Sequence, residues 1–126
     1  MDGQYLIDTN TAIDYLNNKL PALASNLLDE QEVLISVITR MELLAWPNAT
    51  ADQLSLLEDF IQSSFVLNLE EAVIIKAIET RKQHKLKLPD AIIAATAMVF
   101  ELTLLTRNVA DFQKVPSLKM ANPWEM

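Results

Sequence analysis

The feature that most constrains the fold is a regular alternation of short β-prone runs with longer helical segments. Runs rich in branched and aromatic side chains predict five strands, at residues 5–7, 33–35, 65–69, 103–106 and 118–121. Amphipathic or apolar helical spacing predicts the intervening helices, at residues 10–16, 22–28, 36–46, 52–63, 70–85 and 89–100. Strands that alternate with helices need crossover connections, which place helices on both faces of a parallel sheet. The sequence therefore predicts a three-layer α/β/α sandwich with a mainly parallel sheet.

Composition limits the kind of site that this fold can carry. The 126 residues are near the commonest size of one domain, so we expect a single domain over residues 1–126. The absence of Cys excludes disulfides and thiolate metal sites, and a single Gly argues against a phosphate-binding loop. Met1 to Gln4 do not resemble a secretory signal, and no apolar run is long enough to cross a bilayer. We therefore expect a cytoplasmic protein without a membrane span.

The charge of the chain is unevenly distributed. The net charge of −7 is unusual for a nucleic-acid binder, but residues 64–126 carry eight basic and seven acidic side chains. Within them lies a basic stretch, residues 81–87, that contains Arg81, Lys82, His84, Lys85 and Lys87. Cations at the end of a helix complement its dipole, and they can also contact RNA phosphates. The two explanations are compatible, so the basic stretch is a candidate substrate-binding surface.

Two acidic residues in the first half of the chain are candidate site residues. Asp8 directly follows the first predicted strand, where an Asx-type turn is the structural alternative. Asn10 or Thr11 is expected to cap the helix that follows. Glu42 lies three residues after Thr39, which is the spacing of a capping box, unless the helix begins at residue 36 and Glu42 lies in its second turn.

Two further acids lie in the second half. Asp90 follows Pro89 in a predicted first helical turn, where the helix dipole favours an acid in any case. Asp111 lies in a predicted short polar loop, where acids are common. Each residue alone has a structural explanation at least as good as a functional one.

Taken together, Asp8, Glu42 and Asp90 are expected at the same edge of the sheet. Ligands of open parallel sheets collect outside the carboxyl ends of the strands. Clustered carboxylates repel and raise one another's pKa values, and a divalent cation removes that cost. Oxygen ligands without Cys or paired His favour Mg²⁺ or Mn²⁺ over zinc. Such a cation can activate water for hydrolysis of a phosphodiester.

Several short motifs occur in a characteristic order along almost the whole chain. They are YLIDTN at 5–10, ISVITRMEL at 35–43, LPDAIIAATA at 88–97, LTRN at 105–108 followed by Asp111-Phe112, and NPW at 122–124. In this order and spacing the sequence resembles the PIN domain, and specifically the toxin nucleases of VapBC-type toxin–antitoxin pairs.

The resemblance implies a metal-dependent endoribonuclease with Asp8, Glu42 and Asp90 as metal ligands. It also implies that Thr9, Asn10 and Thr106 orient these ligands or the phosphate. The family often has a fourth acid soon after its last core strand. This chain has Asn108 directly after Arg107, and Asp111 three residues later, so Asp111 is the candidate fourth ligand.

The resemblance also implies the partners. We expect a cognate antitoxin that inhibits the nuclease, an RNA substrate and a homodimer. The candidate RNA-binding side chains are Arg40, Arg81, Lys82, Lys85, Arg107 and Asn108, with the metal itself.

Two other functions are compatible with parts of the sequence. Asp8-Thr9-Asn10 resembles the Asp-x-Asp motif of haloacid-dehalogenase-type phosphatases, although its second acid is missing. A catalytically inactive PIN-fold module that binds a basic partner is the non-enzyme alternative. Asn10 in place of the second acid and the short chain argue against the phosphatase, and the presence of Asp8, Glu42 and Asp90 together argues against the inactive module.

Overall fold

A computed structural model describes residues 4–126 of the chain. The strands are β1 (Tyr5–Ile7), β2 (Leu34–Ser36), β3 (Phe65–Leu67), β4 (Thr103–Leu105) and β5 (Met120–Ala121). The helices are α1 (Thr9–Leu16), α2 (Ala22–Glu30), α3 (Val37–Leu44), α4 (Ala51–Ser63), α5 (Glu71–Gln83), α6 (Leu88–Val99) and α7 (Val109–Phe112), and a 3-10 helix spans Pro123–Glu125.

The strands form one sheet in the order β3-β2-β1-β4-β5. Every neighbouring pair is parallel, and the central strand β1 pairs through Leu6 with Leu34 of β2 and Leu104 of β4. The carboxyl ends of the strands therefore meet at one edge, which we call the carboxyl edge. The predicted α/β sandwich with a parallel sheet is confirmed.

Alternation along the strands produces two cores, one on each face of the sheet. Leu6, Leu34 and Leu104 pack against α6, whereas their neighbours Ile7, Ile35 and Leu105 pack on the opposite face against α1, α2 and α4. Successive side chains of a strand point to opposite faces, and these short strands are apolar on both. Burial of each such side chain stabilises the fold by about 1.5–3 kcal/mol.

The apolar helix α6 is the most deeply buried helix among the described residues. All side chains of residues 91–97 are buried, because α6 is covered by the sheet on one side and by Val73 and Ala77 of α5 on the other. Pro89 lies in its first turn, where a missing N–H costs nothing. This helix holds Asp90 in a fixed place at its N-terminus.

The structure corrects the predicted cap of one helix and decides between the two alternatives that the sequence left open for another. Helix α1 begins at Thr9 and is capped by Asp8, not by Asn10 or Thr11, because the Asp8 carboxylate accepts the free N–H of Thr11. Helix α3 begins at Val37 and is capped by Ser36. Glu42 therefore lies in the second turn of α3 and forms no capping box with Thr39.

Two smaller differences concern the last twenty or so residues of the chain. The loop that was predicted around Asp111 contains the short helix α7, and the 3-10 helix Pro123–Glu125 was not predicted. The expectation for the N-terminal segment falls mostly on residues 1–3, which lie outside the described residues. Among residues 4–126, no helix has both the length and the apolar character needed to cross a membrane.

Candidate active site

Asp8 lies where β1 ends at the carboxyl edge, and both of its carboxylate oxygens accept hydrogen bonds. Oδ1 accepts the backbone N–H of Thr11 at 3.0 Å, and Oδ2 accepts the hydroxyl of Thr106 at 2.6 Å. Asp8 is only 6% exposed, so these two bonds stabilise a buried acid and hold its orientation. The structural and functional explanations of Asp8 are therefore compatible in one side chain.

Thr106 directly follows β4 and links Asp8 to the next acid along the edge. It is fully buried, and its oxygen accepts the backbone N–H of Asn108 at 2.9 Å. Its one hydroxyl hydrogen is therefore free to bond Asp8. The side-chain amide of Asn108 in turn donates to Asp111 at 3.0 Å. This chain of contacts connects Asp8 with Asp111 through two polar residues.

Glu42 projects from α3 toward the start of α1. The Thr9 hydroxyl donates to Glu42 Oε1 at 2.5 Å, and the Thr9 oxygen also lies 3.2 Å from the hydroxyl of Thr39. Glu42 itself is exposed, whereas Thr39 is fully buried. Helices α1 and α3, which are distant in sequence, thus meet through polar side chains beside the carboxyl edge.

Asp90 has a raised pKa, and its causes show which acids are close to it. Burial is the largest cause of the increase in pKa, and the negative charge of Asp111 is the second. The charges of Glu42 and Asp8 raise the pKa further, while Lys87 lowers it. The structure therefore brings the four predicted acids close enough at the carboxyl edge for three of them to affect the fourth electrostatically. We call Asp8, Glu42, Asp90 and Asp111 the acidic pocket.

The donor set of the acidic pocket fits a hard divalent cation. All four acids offer carboxylate oxygens, and the repulsion at Asp90 is the cost that a cation would remove. As they stand, however, no three Asp, Glu or His side chains within residues 4–126 are arranged to hold one metal ion together. The ligand set is therefore a proposal, in which Asp8 and Glu42 keep their bonds to hydroxyl and amide donors while the four carboxylates draw closer around the ion.

A second polar cluster lies beside this pocket and was not predicted. Asp14 of α1 is buried, and its Oδ2 accepts the indole N–H of Trp124 at 3.1 Å. The same oxygen lies 3.3 Å from the guanidinium of Arg107, whose side chain is 51% exposed. Because Trp124 and Arg107 both contact this buried carboxylate, the C-terminal segment and Arg107, which lies at the rim of the acidic pocket, are attached to α1. We call Asp14, Arg107 and Trp124 the rim cluster.

The remaining predicted substrate-binding residues lie on the surface. Arg81 and Lys82 occupy the last turn of α5, where the helix dipole alone accounts for them. Lys85 is exposed in the following loop, and its carbonyl accepts a bond from Lys114 of the α7 end. Arg40 is exposed on α3, and Asn10 is exposed in the first turn of α1. Contact of these side chains with RNA stays a prediction.

The sequence contained only weak signals for the residues that were missed. Thr39 was considered solely as a partner in a capping box, and Asp14 looks like an ordinary polar residue of an amphipathic helix. Trp124 belongs to a motif of the resemblance, but no role followed from it. Their partners lie on other elements, so no local pattern identifies them.

Fold and site together define the class of protein: a parallel α/β protein with a pocket of carboxylates and hydroxyls at the carboxyl edge of its sheet. The sequence pattern of the PIN domain family matches residues 5–118. Ribonuclease VapC19 of Mycobacterium tuberculosis is 35% identical over 123 residues, which is 90% of this chain and 96% of that protein. The chain therefore belongs to the PIN domain family.

Two further comparisons agree with this assignment. The tRNA(fMet)-specific endonuclease VapC of Salmonella typhimurium is 29% identical and matches 93% of this chain and 96% of its own length. A solved toxin–antitoxin complex from Klebsiella pneumoniae contains a chain that is 30% identical, with a TM-score of 0.78 over 98% of this chain and 100% of that one. The prediction of a PIN-type ribonuclease is confirmed over the phosphatase alternative, and nucleases of this family depend on a metal ion.

Proposed function

We propose that this protein is a Mg²⁺-dependent endoribonuclease that hydrolyses RNA phosphodiester bonds as the toxin of a type II toxin–antitoxin pair. The observation that carries the proposal is the acidic pocket, in which burial and the charges of three other acids raise the pKa of Asp90. Mutually repelling carboxylates with oxygen donors alone favour a hard divalent cation over zinc. Mn²⁺ accepts the same ligands and is expected to substitute.

In this proposal Asp8, Glu42 and Asp90 hold the metal, and Asp111 is a weaker or water-mediated fourth ligand. When bound, the cation would activate water and stabilise negative charge on the scissile phosphate. Thr106 holds the Asp8 carboxylate, and Thr9 holds that of Glu42. These bonds orient the ligands in advance, which reduces the reorganisation needed when the metal binds.

We propose that RNA lies across the carboxyl edge. Arg107 at the rim, Arg40 on α3 and the basic stretch would contact phosphates, and Asn10 and Asn108 would contact the backbone near the cleavage site. The name of the Salmonella relative specifies a tRNA substrate, so tRNA is the first substrate class to test.

We also propose an antitoxin partner, a homodimer, a single domain and a cytoplasmic location. The antitoxin is supported by the similar chain from Klebsiella pneumoniae, which belongs to a toxin–antitoxin complex. A chain with a net charge of −7 suits a partner segment that brings Arg or Lys into the acidic pocket.

The test is to sequence RNA ends after brief induction of the chain alone, with Asp90→Asn as the matched control. We expect new ends at defined sites, growth inhibition, and loss of both in the control. Purified protein should cleave with Mg²⁺ or Mn²⁺, poorly with Zn²⁺, and not in excess EDTA. If the protein binds RNA or a basic peptide but yields no new ends, it is the inactive binding module instead.

A further inference from the structure

The structure assigns a positioning role to Thr39, a buried residue that forms the end of a hydrogen-bond relay to Glu42. We infer that Thr39 donates to Thr9, that Thr9 donates to Glu42, and that this relay sets the affinity of the acidic pocket for a divalent cation. The inference deepens the proposed function and rests on it.

Counting hydrogens fixes the direction of the relay. An ionised Glu42 carboxylate only accepts, so the 2.5 Å contact requires the single hydroxyl hydrogen of Thr9. The 3.2 Å contact between the Thr9 and Thr39 oxygens then needs a different hydrogen. Only the Thr39 hydroxyl can supply it. Thr39 therefore donates to Thr9, and a Thr9 oxygen that accepts is a stronger donor toward Glu42.

The burial of Thr39 makes the relay rigid. Thr39 is fully buried, so solvent does not compete for its hydroxyl. It precedes Glu42 by three residues on α3, which places both side chains on one face of that helix. Thr9 is the first residue of α1, so the relay joins two elements that follow different strands of the sheet.

Glu42 depends on a hydrogen bond that orients its carboxylate more than Asp8 and Asp90 do. Asp8 is buried, and Asp90 is held in the first turn of the buried helix α6. Glu42 has a longer side chain and is exposed, so ordering it at a metal costs more conformational entropy. Thr9 holds Oε1, and no hydrogen bond to Oε2 occurs within residues 4–126, so Oε2 can serve as a ligand. Partners that orient ligands in this way typically contribute 10- to 100-fold to metal affinity or activity.

The experiment measures Mg²⁺ binding to the free protein by calorimetry for Thr39→Val and Thr39→Ser. We expect Thr39→Val to raise the Mg²⁺ Kd about tenfold, because it removes the donor and keeps the shape. Thr39→Ser keeps the hydroxyl donor, so its Mg²⁺ Kd should stay near the wild-type value. The KM for RNA at saturating Mg²⁺ should be unchanged in both.

Thr96→Val is the matched control for the loss of a buried hydroxyl. Thr96 is buried on α6, and its hydroxyl bonds the carbonyl of Ile92. We expect this variant to lose some stability and to keep the wild-type Mg²⁺ Kd. Thr39→Ala provides a second variant without the donor, so the measurement does not depend on the folding of Thr39→Val.

Three outcomes would overturn the inference. A folded Thr39→Val or Thr39→Ala protein with the wild-type Kd shows that Thr39 has no effect on the site. An equal loss of affinity in Thr39→Ser shows that packing of the methyl group matters, not the hydroxyl. Wild-type protein that neither binds Mg²⁺ nor cleaves RNA overturns the proposed function as well, whereas the first two outcomes leave it intact.

Discussion

Asp8 and Asp90 each lie at the N-terminus of a helix, but the groups that surround the two carboxylates differ. Asp8 at the start of α1 accepts bonds from Thr11 and Thr106, so both of its carboxylate oxygens have hydrogen-bond donors within the protein. Asp90 is in the first turn of α6, where burial and the other acids raise its pKa. In the part of the chain that the structure describes, no side-chain hydrogen bond to the Asp90 carboxylate occurs.

The difference indicates how an acidic pocket can be both stable and able to bind a cation. An acid that is satisfied by the protein contributes to folding and sets the geometry of the site. An acid whose pKa is raised by burial and by neighbouring acids lowers the stability of the folded protein when it is ionised, and a bound cation relieves that cost. On this basis we expect Asp8 to serve both the fold and the proposed metal site, and Asp90 to serve the proposed site at a cost in stability.

The largest expected effect is on catalysis, where Asp8 and Asp90 should be equivalent. Asp8→Asn and Asp90→Asn are each expected to lower RNA cleavage about a thousandfold or more, because each removes a proposed metal ligand. Single-turnover cleavage at saturating Mg²⁺ measures this effect, with Asp59→Asn on the exposed face of α4 as the control. Cleavage at the wild-type rate by either variant would remove that residue from the active site.

A smaller effect on activity is expected at the second contributor to the pKa of Asp90. Asp111→Ala should lower cleavage roughly tenfold, less than Asp90→Ala, because Asp111 is already bonded to Asn108 and lies 3.7 Å from Lys114. Asn108→Asp adds a carboxylate and should tighten Mg²⁺ binding in the free protein. Metal titration and single-turnover cleavage compare the three variants. If Asp111→Ala matches wild type in both assays, the site has three carboxylates.

Stability should separate the two acids by the sign of the effect. Asp8→Asn keeps a cap but leaves the Thr106 hydroxyl without its acceptor, which should cost about 1–2 kcal/mol. Asp90→Asn should stabilise the metal-free protein at pH 7 by less than about 1 kcal/mol, since solvent screens the repulsion. Melting temperatures without metal measure both changes, and equal signs would contradict the comparison.

The pH dependence of the Asp90 effect follows from the raised pKa. A carboxyl whose pKa is raised by folding stabilises the protein below its unfolded pKa of about 3.9, and this contribution is lost as the pH rises through the folded pKa. The advantage of Asp90→Asn should therefore be largest at neutral pH and shrink toward about pH 4. Mg²⁺ should reverse the order at pH 7 by raising the melting temperature of wild type alone.

The smallest effect is expected from the basic stretch, which precedes Asp90 in the sequence and has no counterpart before Asp8. Its effect should be on RNA affinity. Changing Lys82 and Lys85 to Glu should weaken RNA binding severalfold and reduce the slope of log affinity against log salt by about one to two. The single-turnover rate at saturating RNA should be nearly unchanged. The paired control reverses Lys119, which is exposed beside β5. Unaltered affinity at all salt concentrations would leave the helix dipole as the sole explanation of these lysines.

Local sequence was sufficient to predict the layers of the fold and the positions of the two contrasted acids. Alternation of short apolar runs with helices determined a parallel sheet, and the apolar run after Asp90 determined a buried helix. Asp8 and Asp90 adjoin these elements in sequence, so their places at the carboxyl edge followed from the same patterns. The short helix α7 was missed because four residues carry too little periodicity to be recognised.

Only the tertiary structure decided how the side chains of the site are held. The bonds from Thr9 to Glu42, from Thr106 to Asp8 and from Trp124 to Asp14 join residues 33, 98 and 110 positions apart in the chain. Spacing within one helix determines which of its residues share a face, but it does not determine which face of another element meets them. The sequence therefore determined where the acids lie, and packing between distant elements determined which of them are satisfied and which are left to repel.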